Sequence, residues 1–114
     1  MVDPVGLYNQ ILHITKAEQK SLDNNDFDTL IKQIEERERL LEETKKVDFS
    51  LIDENRKGSI RQLLDEIKTI DEKNIMRIEL LKNTVKEDIA GTVEQKKVQK
   101  YISSYNRIQK GVQG

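Results

Sequence analysis

Cysteine and tryptophan are both missing from this chain, histidine and proline occur once each, and aromatic residues make up 4% of it. Without cysteine there is no disulfide framework and no thiolate metal site, a composition suited to a reducing compartment, and the cytoplasm is the expected location. His13 stands alone between apolar neighbours, with no second histidine to complete a metal site, and reads as a surface or groove residue. No apolar run approaches the roughly 20 residues of a membrane span, and the N-terminus lacks the basic-then-apolar layout of a signal peptide, so a soluble chain is expected. A glycine-rich phosphate loop is absent. DNNDFD lacks the glycine at its sixth position and the glutamate at its twelfth that a calcium loop needs, and reads as a turn and a cap. No catalytic, cofactor or metal site is expected, and the chain is not read as an enzyme.

What is present is charge, 36% of 114 residues against 35% hydrophobic, with a formal net charge of -1. Signs are finely mixed and isoleucine and leucine recur throughout, as on helices with one solvated face. One thin, elongated helical domain follows from these numbers.

Asp3-Pro4 announces the first helix, an N-cap acceptor followed by proline where its fixed φ does no harm. Leu7, Tyr8, Ile11, Leu12, Ile14 and Leu22 form its apolar side, and DNND closes it, with Asp26 placed to cap the next helix. The second helix carries Phe27, Leu30, Ile31, Ile34, Leu40, Leu41 and Val47, interrupted by Arg37, Glu38 and Thr44. Its IEERERLLEE block reads as an ion-paired face with i to i+4 spacing. In VDFSLIDENRKGS, Asp48 and Ser50 are cap formers, Ser50 with Asp53 mimics a capping box, and Gly58 weakens the helix that follows.

The third helix is the most regular, with Ile60, Leu63, Ile67, Ile70, Asn74, Ile78, Leu81, Val85 and Ile89 rising in steps of three and four. It predicts a rod of about 45 Å or more along which the shorter helices pack. Asn74 within that stripe is expected at a solvated seam position, the alternative being a buried amide that fixes register. AGTVEQKK around Gly91 predicts a bend or frayed joint. Beyond it Val98, Tyr101, Ile102, Tyr105 and Ile108 restart an apolar stripe that needs cover from its own chain folding back, a second copy or a partner. The tail is also basic, which partly complements the helix macrodipole; a membrane-surface or nucleic-acid role would need more lysine and arginine. Met76, with Leu80 beside it, faces away from the seam and offers a pliable apolar surface. The expected fold is therefore all-α, an elongated antiparallel three-helix bundle with a long third helix and a C-terminal extension or fourth helix. As one domain over residues 1–114, its helices are predicted at about 4–22, 27–46, 54–90 and 93–109.

The succession ILHITKAEQKSLDNNDFDTLIKQIEERERLLEETKKVD, then LLDEIKTIDEKN, then KKVQKYISSY resembles the FliT-like flagellar export chaperones, small helical proteins of bacterial flagellar type III secretion. The resemblance runs along most of the chain and rests on the order of its segments, each weak alone. It implies binding of a late export substrate, typically the C-terminal part of the filament-cap protein FliD, and delivery to the export ATPase apparatus. It also implies that the C-terminal helix covers the binding surface in the free state, making Tyr101 and Tyr105 a lid. Met76, Leu80, Val98, Tyr101, Ile102, Tyr105 and Ile108 are the expected partner-binding residues. Two other readings compete: a FlgN-like chaperone for hook–filament junction proteins, and a structural coiled coil that forms a homodimer through the tail stripe.

Overall fold

In the computed structural model, which describes residues 3–84 and 100–108, the two breaks within residues 3–84 each reverse the direction of the chain. Helix α1 spans Pro4–Asp23, α2 spans Phe27–Thr44 and α3 spans Glu54–Thr84, with a single 3-10 turn at Phe49–Leu51 between the last two. A further helix, α4, occupies residues 100–108. The protein is an all-α antiparallel bundle, and α3, at 31 residues and 1.5 Å per residue, is a rod of about 46 Å.

The starts are written locally. Asp3 accepts from the Val5 amide in front of Pro4, and Asp26 accepts from both the amide and the hydroxyl of Thr29. Asp48 holds Ser50 by its amide and hydroxyl. Asp53 caps α3 by accepting from the Arg56 amide at 2.8 Å. The expected Ser50–Asp53 box is therefore replaced by two successive aspartate caps, because Ser50 is already engaged by Asp48. Between α1 and α2, Asn25 adopts φ 54°, a left-handed conformation that asparagine tolerates better than most residues. The helix ends fall within two residues of the expected ones for α1 and α2. The predicted extension of α3 to residue 90, the joint at AGTVEQKK and the start of the last helix at 93 lie outside the described residues, as do Val85, Ile89 and Val98.

The buried residues are spaced as in a coiled coil. On α3 they are Ile60, Leu64, Ile67, Asp71, Asn74 and Ile78, in alternating steps of four and three; on α1 they include Tyr8, Ile11, Thr15, Glu18 and Leu22. Helix α2 contributes Leu30, Ile34, Arg37 and Leu41, and α4 contributes Tyr101, Ser104 and Ile108. Two apolar clusters result. One gathers Leu7, Ile11, Leu40, Leu41, Ile60, Leu64, Ile67 and Ile108, the other Leu22, Leu30, Ile34, Ile78 and Tyr101. Following each chain segment from one cluster to the other gives the direction of the helices: α1 and α3 run one way, α2 and α4 the other.

Candidate functional site

Between the two apolar clusters the seam turns polar on every helix at the same level. Thr15 and Glu18 of α1, Arg37 of α2, Asp71 and Asn74 of α3 and Tyr101 of α4 are all buried there, none more than 2% exposed. Arg37 is the hub. Its Nη1 donates to Asp71 Oδ1 at 2.6 Å and to Thr15 Oγ1 at 3.0 Å, and its Nη2 donates to Asp71 Oδ2. The guanidinium lies 5.0 Å from the centre of the Tyr101 ring, which covers it as a cation–π partner.

Tyr101 reaches this layer from α4. Its hydroxyl donates to Asp71 Oδ1 at 2.6 Å and accepts from Asn74 Nδ2 at 2.8 Å. Thr15 passes its own proton to the Ile11 carbonyl at 2.7 Å. Two groups of the layer lack partners: Arg37 Nε makes no hydrogen bond, and Glu18, whose Oε1 is 3.6 Å from Arg37 Nη1, accepts none at either carboxylate oxygen. Burial pushes Glu18 up to about 8, the Arg37 charge opposing only part of that and the Asp71 charge adding to it. The hydrogen-bonded ion pair of the layer is therefore Arg37 with Asp71, with Glu18 held less closely beside the same guanidinium. Burial lowers the proton affinity of Arg37, but Asp71 and Glu18 more than offset it, so the guanidinium is held firmly charged. Burial, then the neighbouring carboxylates, push the Tyr101 hydroxyl far above the usual phenol range, so it stays a donor.

Helix α4 is also held at its rim. Arg107 pairs with Glu38 at 2.8 Å and Glu42 at 3.2 Å on α2, while the Tyr105 hydroxyl donates to Glu72 on α3 at 3.2 Å. Helix α4 thus lies along the groove between α2 and α3, with Tyr101, Ser104 and Ile108 inward.

The residues expected to bind a partner divide accordingly. Met76 and Leu80 are 65% and 64% exposed, one turn apart on α3. Tyr101 and Ile108 are buried in their own bundle, Ile102 and Tyr105 are half-buried at its edge, and Val98 lies outside the described residues. The tail stripe is therefore covered by the chain folding back. Two readings are corrected. Asn74 is 2% exposed, not solvated, because Tyr101 arrives above it. The outer pairs of α2, expected at i to i+4, sit at i, i+3, as in Glu36 with Arg39, while Arg37, which interrupts the stripe, is buried in the seam. His13 is exposed, beside a shallow groove with Asn9, Ile14 and Leu40.

Sequence reading missed Asp71, Glu18 and Thr15 as interior residues. The signal was present: Tyr8, Ile11, Thr15, Glu18, Leu22 and Ile60, Leu64, Ile67, Asp71, Asn74, Ile78 keep strict three-and-four steps. Leu63 and Ile70, which are only partly buried, draw the eye one position aside. Among the described residues no group of histidine, cysteine and carboxylate side chains is arranged to hold a metal ion, and no helix is long and apolar enough to cross a membrane. No family model matches the chain, and neither the curated proteins nor the solved structures contain a match to it.

Proposed function

We propose that this protein is a helical export chaperone of the FliT-like type, holding a terminal helix of a late flagellar export substrate, the filament-cap protein first among them, until it reaches the export ATPase apparatus in the cytoplasm. The observation that carries this reading is α4, whose described residues 100–108 occupy a groove between α2 and α3 through three inward side chains, Tyr101, Ser104 and Ile108. A groove that accepts an amphipathic helix of its own chain has the shape and the alternating apolar and polar lining to accept another. Client binding then proceeds by exchange of α4 for the client's helix, with Tyr101 and Tyr105 acting as the lid.

Exposed Met76 and Leu80 extend the surface along α3, where an unbranched thioether adapts to more than one partner helix. The homodimer reading loses support, since Tyr101 and Ile108 of the stripe it needs are already buried within one chain.

The test is a pull-down from lysate of the source bacterium, comparing the full chain with one ending at Lys97. Capture of the filament-cap protein, stronger for the shorter chain, is the expected result. Capture of hook–filament junction proteins instead would assign the FlgN-like role. Recovery of no flagellar protein by either would remove the chaperone reading. Met76→Lys in the full chain is expected to weaken capture; unchanged affinity would take Met76 off the binding surface.

A further inference from the structure

The polar layer contains two carboxyl groups and one guanidinium, and its hydrogen bonds are distributed unequally. The hydrogen bonds formed there all go elsewhere than Glu18: Arg37 Nη1 and Nη2 donate to Thr15 and Asp71, Tyr101 Oη to Asp71, and Asn74 Nδ2 to Tyr101 and the Thr15 carbonyl, while Arg37 Nε has no partner and Nη1 stays 3.6 Å from Glu18 Oε1. Glu18 is fully buried and both of its oxygens lack a hydrogen-bond donor. An ionised carboxylate in that position would lose its hydration and gain no hydrogen bond in return, with Asp71 already neutralising the one nearby cation. The neutral acid avoids most of that cost.

We propose that Glu18 is the proton-binding element of a latch: seating α4 on the bundle takes up one proton at Glu18, and releasing that proton loosens α4. The groups that face Glu18 are Arg37 from α2, Asp71 from α3 and Tyr101 from α4. Of these, Tyr101 belongs to α4, which lies in the groove between α2 and α3, whereas α1 packs directly on both of those helices without it. Its ring covers Arg37, and its hydroxyl occupies Asp71 and Asn74. When α4 leaves, water enters the layer, Glu18 is rehydrated beside Arg37, and its carboxyl returns toward its ordinary range.

The sign follows from linkage. Glu18 holds its proton more tightly with α4 seated, so seating is favoured at low pH and weakens as pH rises. The window runs from the ordinary value of 4.5 to about 8. Within it the seating constant falls by up to about tenfold per pH unit, the limit for one proton. Nothing in the latch depends on which client, if any, the groove accepts, so the pull-down and the experiment below fail independently.

The experiment uses the full chain. The Glu18 side-chain carboxyl is followed by carbon-13 NMR while amide exchange of residues 100–108 is measured between pH 5.5 and 8.5 and corrected for the intrinsic rate. Expected are a Glu18 midpoint near 8, protection of 100–108 that falls with pH, and a flat profile in Glu18→Gln, which keeps the shape without the titration. A wild-type midpoint at about 4 to 5, protection independent of pH in wild type, or an unchanged slope in Glu18→Gln would each overturn the latch. The wild-type titration decides the matter even where the variant fails to fold.

Discussion

Arg37 of α2 and Asp71 of α3 form a two-pronged ion pair in which neither side chain has any exposure to solvent. Two charges held at this depth stabilise little net of their dehydration, and they tie α2 to α3 across the core. The same pair supplies the surface on which Tyr101 seats. The link between α2 and α3 and the docking of α4 therefore share one structural element.

Removing one partner leaves the other buried and uncompensated. Arg37→Leu or Asp71→Leu is expected to lower stability by about 3–5 kcal/mol. The double variant should cost much less than the sum, because no buried charge remains in the layer once Glu18 is neutral. Urea denaturation of the four proteins at pH 6.5 checks the cycle; additive losses would mean that the two side chains act separately.

Tyr101→Phe keeps the ring over Arg37 and deletes the hydroxyl. Asp71 Oδ1 then retains Arg37 but loses a donor, and Asn74 Nδ2 loses its nearer acceptor and keeps only the Thr15 carbonyl at 3.5 Å. A cost of about 1–3 kcal/mol is expected, read chiefly as faster amide exchange in 100–108 with α1 and α2 little changed. Tyr101→Ala should release α4 more completely, since it also removes the ring.

Gly58 lies in the second turn of α3, and a Cβ built there meets nothing within 4 Å. Gly58→Ala should stabilise the protein by about 0.5–1 kcal/mol, because alanine loses less backbone freedom in a helix. Thermal unfolding of the single variant measures it, and a lowered Tm would contradict the helical conformation at that residue.

The Thr29 hydroxyl and then its amide, both donating to Asp26, hold that carboxyl below the usual carboxylate range. A depressed pKa contributes stability that is present above the unfolded value and is lost as pH falls through the folded one. Asp26→Ala should lower Tm by a few degrees at pH 7, and the difference from wild type should close in acid. A gap that persists at low pH would show that the aspartate acts other than by its charge.

The two titrations run in opposite directions, and for separate reasons. Asp26 is an exposed cap whose ionised form is hydrogen-bonded, whereas Glu18 is an interior acid whose ionised form is not. Acid therefore weakens the start of α2 while alkali weakens the seat of α4.

The sequence by itself determined what is local. Asp3-Pro4, Asp26 and Asp48 satisfy backbone amides within three residues of themselves, and the three-and-four spacing of leucine and isoleucine defines which side of each helix is buried, so the helical order and the long α3 were readable without a fold. Only the tertiary structure decided the fate of the polar residues that share that spacing. A Glu18, Arg37, Asp71 or Asn74 on an isolated helix is a solvated residue, because each would lose more from dehydration than packing returns. Set at one level of four helices, Arg37, Asp71, Asn74 and Tyr101 hydrogen-bond to one another or to Thr15, and Glu18 is enclosed beside them without a hydrogen bond of its own. Tyr101 illustrates the same limit from the far end of the chain: its stripe announced a need for cover, and the cover was the interior of its own bundle, between residues some 30 and 64 positions upstream.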